Sequence, residues 1–469
     1  MGYQGCIELA AAFASKVSFP GESAYNASQA SYWSIQEAEL SPSCVMMPET
    51  SADVAKFISI VTNITNCDFA IRTQGHAPQA GAANINNGVT LDLSHLNSTK
   101  LNEYHTIASV GAGASWLDVY ATLNPYNKTV NGGRNGGVGV GGVTLGGGIS
   151  YYSPEVGFTC DTVVNFEIVL ADGCIVNVNN TSNTDLFRAL KGGGNNFGIV
   201  TRVDYHAVDV KELRGGYLYQ SSEYSTDILT AFGNLAAAKD FDVHTSVVTS
   251  ASYNSTIKDW SFVSVPIYTL PVLNPPVYRE LFSIPNITSE SVAIIENITT
   301  LADEAPFPQL FETFLTSTYA ASPNILLEVF RAANETLAKM DVPADVIWAI
   351  AFEPLPTVFT SHGQGKNVLG LSEADGNGVI ILASTTWTDA SSSDFATKFG
   401  PIVLKAMDDA AERAGGLHNF RYLNYAAPHQ DVFGSYGQAN VEFLKATSRK
   451  YDPERVFQKK VPGGFKLGI

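Results

Sequence analysis

The apolar and polar positions along this chain fall into two textures. In the first, Val54, Ile58, Val61 and Ile64 recur at helical spacing behind Thr50 and Asp53, which resemble a capping box; together they predict a helix over 51–66. CDFAIRT then reads as a buried strand ending at His76, and GVTLDLSHL as another. TIASVGAGASWLDVYATL reads as a strand turning into a helix at Gly111–Gly113. VVNFEIVLADGCIVNV gives two β-runs around Asp172-Gly173, a strong hairpin signal. TDLFRALKGGGNNFGIVTRVDYHAV supplies a short helix, a glycine loop from Gly192 to Gly198 and a further strand. Through residue 206 this is an α+β arrangement with mixed strands.

The second texture, over 207–420, alternates strands (HTSVVTSASY, WSFVSVPIYT, NGVIILASTTW) with amphipathic helices (ITSESVAIIENITTLADEA, FATKFGPIVLKAMDDAAERA). Strands that carry helices on one face suit an antiparallel sheet whose other face is free to cover a ligand. From Arg421 the pattern changes again, to RYLNYAAPHQDVFGSYG, a helix, and YDPERVFQKKVPGGF. No internal repeat or low-complexity tract interrupts the chain.

Composition narrows the class. At 469 residues, and roughly 100–200 residues per domain, two or three domains are expected. No apolar run approaches the ~18 residues of a membrane helix. A net charge of −17 argues against nucleic acid, whose phosphates need a basic surface. Cys6, Cys44, Cys67, Cys160 and Cys174 form no C-x-x-C pair, which removes zinc and thioredoxin readings. Ten N-x-S/T sequons, from Asn26 to Asn334, suit a secreted glycoprotein. The opening MGYQGCIELAAAF reads as a mature N-terminus behind an added Met, with a leaderless cytosolic chain as the alternative. In an oxidising compartment the expected disulfide joins Cys6 to Cys67, each beside an apolar-periodic element.

The chemistry concentrates in two places: the turn Arg72-Thr73-Gln74-Gly75-His76, and the belt NGGRNGGVGVGGVTLGGGISYY. Ten of the seventeen residues from Gly132 to Gly148 are glycine. That density lets backbone N–H groups crowd against something large and anionic. Gly137-x-Gly139-x-x-Gly142 matches the dinucleotide fingerprint formally, but VTLGGGISYY after it offers no helix-forming run, so a Rossmann site is rejected. The belt reads instead as an extended loop facing a pyrophosphate, fixed by Val138, Val140, Val143 and Leu145; a purely structural loop is the alternative. H-E-x-x-H, G-x-S-x-G and G-x-x-x-x-G-K-[ST] are absent, and Asp172 and Asp185 are turn and helix-start residues, not a glycosidase pair.

RTQGHAPQAGAANINNGVTLDLSHL, VGVGGVTLGGGISYYSPEVGFTCD, GGGNNFGIVT, LNYA and YDPERVFQ resemble, in order and over nearly the whole chain, the FAD-linked oxidases of the berberine-bridge-enzyme type, in the vanillyl-alcohol-oxidase superfamily, and in idiom its fungal secreted members. The resemblance implies a two-domain α+β FAD-binding fold with an antiparallel-sheet substrate domain. The FAD domain would span 1–206, the substrate domain 207–420, and 421–469 would return to the FAD domain. It implies FAD bonded covalently to His76, with Arg72, Thr73, Gln74 and Gly75 cradling the pyrophosphate. Gly111, Gly113, Gly139, Gly141, Gly142, Gly147, Asp161, Gly198 and Val200 match cofactor-lining positions, and Asn424 and Tyr425 match a pair that returns to the flavin. Tyr151 and Tyr152 are expected on the substrate face, with packing as the alternative for both. A hydrogen-bonding turn residue is the alternative for His76.

Two departures shape the expectation. A second flavin link through a belt cysteine would fall near Asn135, and the belt has no cysteine, so a single bond is expected. The substrate-domain carboxylate of many members would fall in SHGQGKNVLGL, which offers His362, Gln364 and Lys366 but no acid. Tyr425 then becomes the candidate base, needing a cation such as Lys366 or His362 to lower a phenol pKa of ~10; a flavin-bonding or packing role is the alternative. His429 reads as structural. The expected activity is oxidation of a secondary-metabolite alcohol, amine or C–H group by a monomeric enzyme, with oxygen as acceptor. Oligosaccharide oxidation, redox-neutral isomerisation or cyclisation, and a non-catalytic flavin-binding protein are the alternatives.

Overall fold

The computed structural model describes residues 2–288, 293–295, 297–303 and 309–469. Strands β1 (Val17–Ser18), β2 (Cys44–Met46), β3 (Phe69–Arg72) and β4 (Val89–Asp92) form a first sheet in the order β1-β2-β4-β3, with β4 parallel to both β2 and β3. The helix Ser51–Asn63 supplies the crossover from β2 to β3. It is closed by the Thr50–Asp53 capping box and buries Val54, Phe57, Ile58 and Val61. It ends before Ile64, whose extended backbone ends the predicted stripe one turn early.

A second, antiparallel sheet runs β5-β6-β10-β8-β9. Its strands are β5 (Thr99–Leu101), β6 (Ile107–Gly111), β8 (Val163–Val169), β9 (Ile175–Asn179) and β10 (Ile199–His206); β7 (Lys128–Thr129) pairs separately with β11 (Val208–Asp209). The β8–β9 hairpin turns at Asp172-Gly173, where Gly173 takes φ +84° and the Cys174 N–H donates to the Asp172 carboxylate.

The third sheet is antiparallel and built from β12 (Leu213–Gly215), β13 (Leu218–Ser221), β14 (Thr245–Asn254), β15 (Asp259–Tyr268), β16 (Ala293–Ile295), β17 (Phe311–Ala320), β18 (Val346–Leu355), β19 (Gly378–Trp387) and β20 (Leu417–His418). Its central order is β15-β14-β18-β19-β17. Helices Ser225–Ala236, Pro323–Leu337 and Ser393–Arg413 cover one face, packing on Trp348, Ile350 and Phe352 of β18. Strand alternation therefore turns Glu353 to the opposite face, toward the first two sheets. Register places Phe314 and Leu382 on that same face.

The C-terminal segment returns to the first half of the chain. The Phe69 N–H donates to the Lys460 carbonyl (2.8 Å) and the Asn196 side chain to the Phe465 carbonyl (3.0 Å).

Three expectations need correction. Cys6 pairs with Cys44, not Cys67. The helix Gly2–Phe13 lays Cys6 over the start of β2, while Cys67 is a free, buried thiol packed against Gly5. The helix expected over ITSESVAIIENITTLADEA lies partly outside the described residues; elsewhere it is the strand β16 and the helix Ile298–Ala302. The belt is not wholly extended, since Val140–Leu145 form a short helix. Burial of Val140 and Thr144, with Thr144 Oγ1 hydrogen-bonded to the Val140 carbonyl and to the Tyr205 hydroxyl, overrides the poor helix propensity of its glycines. The rejection of a Rossmann unit is unaffected: the preceding strand, β7, has two residues and an antiparallel partner.

Candidate active site

The turn after β3, the belt, the start of β10 and the segments around Asn424 and Gly463 surround a cavity of about 1060 Å³, lined also by Phe314 and Leu382 of the large sheet. Ligand pockets commonly span ~300–1,000 Å³, so this one has room for a large cofactor and a substrate together.

Its walls carry the features a dinucleotide needs. The N–H groups of Gly75, His76 and Gly142 donate to no acceptor among the described residues. Gly75 takes φ +70°, a conformation L side chains rarely adopt. A Cβ on Gly139 would meet Thr73 Oγ1 at 2.5 Å, so the belt passes as close to the turn as glycine permits, and a Cβ on Gly142 would project into open space. Backbone donors without Cβ cover suit an anionic diphosphate. Lys466 also lines the cavity, its Nζ 3.0 Å from Asn195 Oδ1, and burial pushes its pKa down to about 7.

His76 reaches the cavity from the turn, with Trp33 stacked on its ring (centroids 4.4 Å apart, 12° between planes). Burial lowers its pKa from 6.5 to about 4. The imidazole is therefore neutral and nucleophilic across the physiological range. Between pH 6.5 and 4 the unfolded chain takes up a proton that the folded one refuses, so this site's contribution to stability is lost as pH falls through that window. Covalent flavin attachment to apoprotein should accordingly be flat from pH 8 to about pH 5 and fall only near pH 4; a rate that titrates near 6.5 would contradict a desolvated ring.

The cavity lining also carries a hydrogen-bonded group whose connections the sequence did not reveal. Arg134 Nη2 donates to both oxygens of Glu353 (2.8 Å each) and to the Tyr425 hydroxyl (2.8 Å), and the Tyr425 hydroxyl donates to Glu353 Oε1 (2.9 Å). Arg134 and Tyr425 line the cavity; Glu353 sits behind them, 4% exposed. Burial alone would weaken the guanidinium's charge, but Glu353 beside it more than offsets that and raises its pKa. Burial, followed by the Glu353 charge, pushes the Tyr425 phenol well above its ordinary 10, so it is a hydroxyl donor and not a phenolate. The expectation that Lys366 or His362 tunes Tyr425 is thus corrected: Lys366 is exposed, and its Nζ donates to the His362 carbonyl. The carboxylate that contacts Tyr425 is Glu353, on β18 and not in SHGQGKNVLGL. Its sequence signal is a lone acid inside the apolar run VIWAIAFEPL.

Of the residues read from sequence, Thr73, Gly75, His76, Gly139, Gly141, Gly142, Gly198, Val200, Asn424 and Tyr425 converge on the cavity. The others do not line it. Arg72 turns inward, bonded to the Ser28 and Ser31 hydroxyls and paired with Asp92 at 3.5 Å. Gln74 spends its amide on the Gly113 carbonyl (2.7 Å). Gly111 and Gly113 permit close approach to the Leu96 and Leu93 carbonyls, and Gly147 packs beside Phe158 and Tyr422. Asp161 binds the Asn367 side chain (2.9 Å) and the Phe158 N–H (3.0 Å). His362 packs on Gly157, and Tyr151 and Tyr152 lie against the core behind the belt.

A family model described as an FAD binding domain matches residues 42–179. The FAD-dependent monooxygenase tpcD of Cochliobolus heterostrophus is 36% identical over 455 residues, covering 93% of this chain and 87% of that protein. The FAD-dependent monooxygenase sdcF of Emericella nidulans is 35% identical over 479 residues, covering 98% of each. Among solved structures, berberine bridge enzyme from Eschscholzia californica has the same fold, with TM-score 0.79, 14% identity and full coverage of both chains. So does glucooligosaccharide oxidase from Acremonium strictum (TM-score 0.78, 19% identity, 98% of each chain). The chain belongs to the family of FAD-dependent oxidoreductases that includes these fungal monooxygenases, and it has the fold of berberine bridge enzyme.

Proposed function

We propose that this enzyme is an oxidase that holds FAD covalently through His76 and oxidises a small secondary-metabolite alcohol, amine or C–H group, with O2 as acceptor and H2O2 as co-product. The observation that carries this reading is a cavity lined by both a neutral histidine and the Arg134 and Tyr425 members of a hydrogen-bonded Arg–Glu–Tyr cluster. The amides of Gly75 and His76 and the belt glycines would hold the diphosphate, with Lys466 also on the cavity lining. When bound, FAD supplies a ring that accepts hydride and passes the electron pair to oxygen.

The remaining work falls to the chain. Tyr425 Oη meets the substrate's O–H or N–H and accepts its proton as its own proton passes to Glu353 Oε1. This relay needs no free phenolate, in keeping with the raised phenol pKa. Arg134 holds both partners in register and balances the charge that moves between them. Phe314, Leu382 and Val138 give the cavity apolar walls, which favour a compact organic substrate over a sugar, whose many hydroxyls would be left unpaired against them. The ten sequons and the Cys6–Cys44 bond support a secretory-pathway location, and no helix among the described residues is long and apolar enough to cross a membrane.

The relatives named monooxygenases favour a second reading, insertion of one oxygen atom. Turnover under 18O2 tests both. Unlabelled product with one H2O2 per turnover supports the oxidase, label in the product supports insertion, and product without oxygen uptake would replace both with a redox-neutral isomerase or cyclase.

A further inference from the structure

We propose that Trp33 is the positioning residue of flavin attachment: its indole fixes the plane of the His76 imidazole so that a ring nitrogen presents its lone pair to the flavin methyl group. The inference rests on the proposed His76 linkage and adds the device that makes it efficient.

Both the ring and the backbone of Trp33 grip the turn. The ring is stacked on the imidazole, as described, and the Trp33 backbone N–H donates to the Gly75 carbonyl (3.1 Å). The preceding residue grips the turn's other end: the Tyr32 ring lies over the Arg72 guanidinium at 3.8 Å. A Cβ on Gly75 would meet the Tyr32 ring at 2.6 Å, so the aromatic pair is seated directly on the turn. The seat is itself braced. Ser34 Oγ donates to the Pro78 carbonyl (3.1 Å), the Tyr32 hydroxyl to the Ala83 carbonyl (3.0 Å), and the Ile35 N–H to the Leu310 carbonyl beside the large sheet (2.9 Å). Phe314 of β17, a cavity-wall residue, backs the indole at 5.4 Å.

Trp33 is not on the cavity wall whereas His76 is, so the indole supports the imidazole from behind and leaves its edge to the cavity. A nitrogen lone pair lies in the plane of its ring. Stacking fixes that plane and leaves only an in-plane flip, which raises the share of encounters in a near-attack geometry. Because the buried ring is neutral, the contact is a stack of two uncharged rings and not a cation held over a π face. Attachment itself balances as follows: a C–N bond forms, the flavin methyl and the imidazole each lose one hydrogen, and O2 takes up both with two electrons as H2O2.

The test follows attachment, not turnover. Apoprotein is mixed with FAD, and acid-stable flavin is measured against time at several FAD concentrations for the wild type, Trp33→Phe and Trp33→Leu. The saturating rate is expected to fall about tenfold or more in Trp33→Leu and less in Trp33→Phe, with the half-saturating FAD concentration nearly unchanged. A merely structural role would instead move the half-saturating concentration or the melting temperature, and not order the rates by aromaticity. Equal saturating rates in Trp33→Leu and the wild type overturn the proposal, as does Trp33→Phe attaching no faster than Trp33→Leu. If Trp33→Leu does not fold, Trp33→Phe and Trp33→Tyr are compared with the wild type, and unchanged rates in both overturn it. Wild-type flavin that acid strips away shows instead that the His76 linkage itself is wrong.

Discussion

Glu353→Gln should lower the rate of flavin reduction by substrate by about a hundred- to ten-thousand-fold, the range that a positioned proton acceptor contributes. Gln keeps the shape and a carbonyl oxygen for Arg134 and Tyr425, but it cannot take up the proton that Tyr425 delivers. The substitution also leaves Arg134 without its counter-charge. Removing one member of a buried pair costs about 3–5 kcal/mol of stability. Arg134 is 16% exposed at its side chain and faces the cavity, so the lower end is expected here. The rate must therefore be read per flavin in folded protein, with a melting curve beside it. Tyr425→Phe should lose a comparable factor, because Glu353 lies behind the cavity wall and reaches substrate only through that hydroxyl. Full activity in Tyr425→Phe together with a dead Glu353→Gln would mean that the carboxylate acts directly and that Tyr425 only packs.

His76→Ala should convert the flavin from acid-stable to fully extractable. The belt, the turn amides and Asn424 remain, so the variant should still bind FAD reversibly, and the loss should appear in the precipitate rather than in total flavin content. The variant separates a covalent tether from a packing residue, because a histidine that merely fills space behind the flavin would leave acid extraction unchanged. Acid-stable flavin in this variant would point to a second attachment residue, for which the belt offers no cysteine.

Much of this was legible in the chain because short-range patterns encode it. Strands β14, β15 and β19 announce themselves by alternation, and the helix Ser393–Arg413 keeps its apolar stripe even through Pro401. The turn at His76 and the belt declare a site through composition alone, and Asn424 and Tyr425 follow from the family pattern. What was not legible depends on long-range partners. VIWAIAFEPL is almost uniformly apolar, so neither its β18 register nor the face that carries Glu353 can be read from period. Arg134 lies 219 residues from Glu353 and 291 from Tyr425, and nothing local in NGGRNGG marks it as their partner. Arg72 sits in the family's turn, but Asp92, Ser28 and Ser31 draw its guanidinium away from the cavity, a choice made by the sheet it ends. Cys6 had two suitors under one helix, and only the packing of that helix across β2 decides for Cys44.

The most direct test of the central claim is the visible absorbance of the enzyme-bound flavin under anaerobic conditions, recorded after mixing with small aromatic and aliphatic metabolite alcohols and amines and, separately, with oligosaccharides. The account predicts bleaching by a compact organic substrate, recovery of the colour with H2O2 when air is admitted, and far slower bleaching in Glu353→Gln. Product formed without bleaching, or bleaching by oligosaccharides alone, would contradict it.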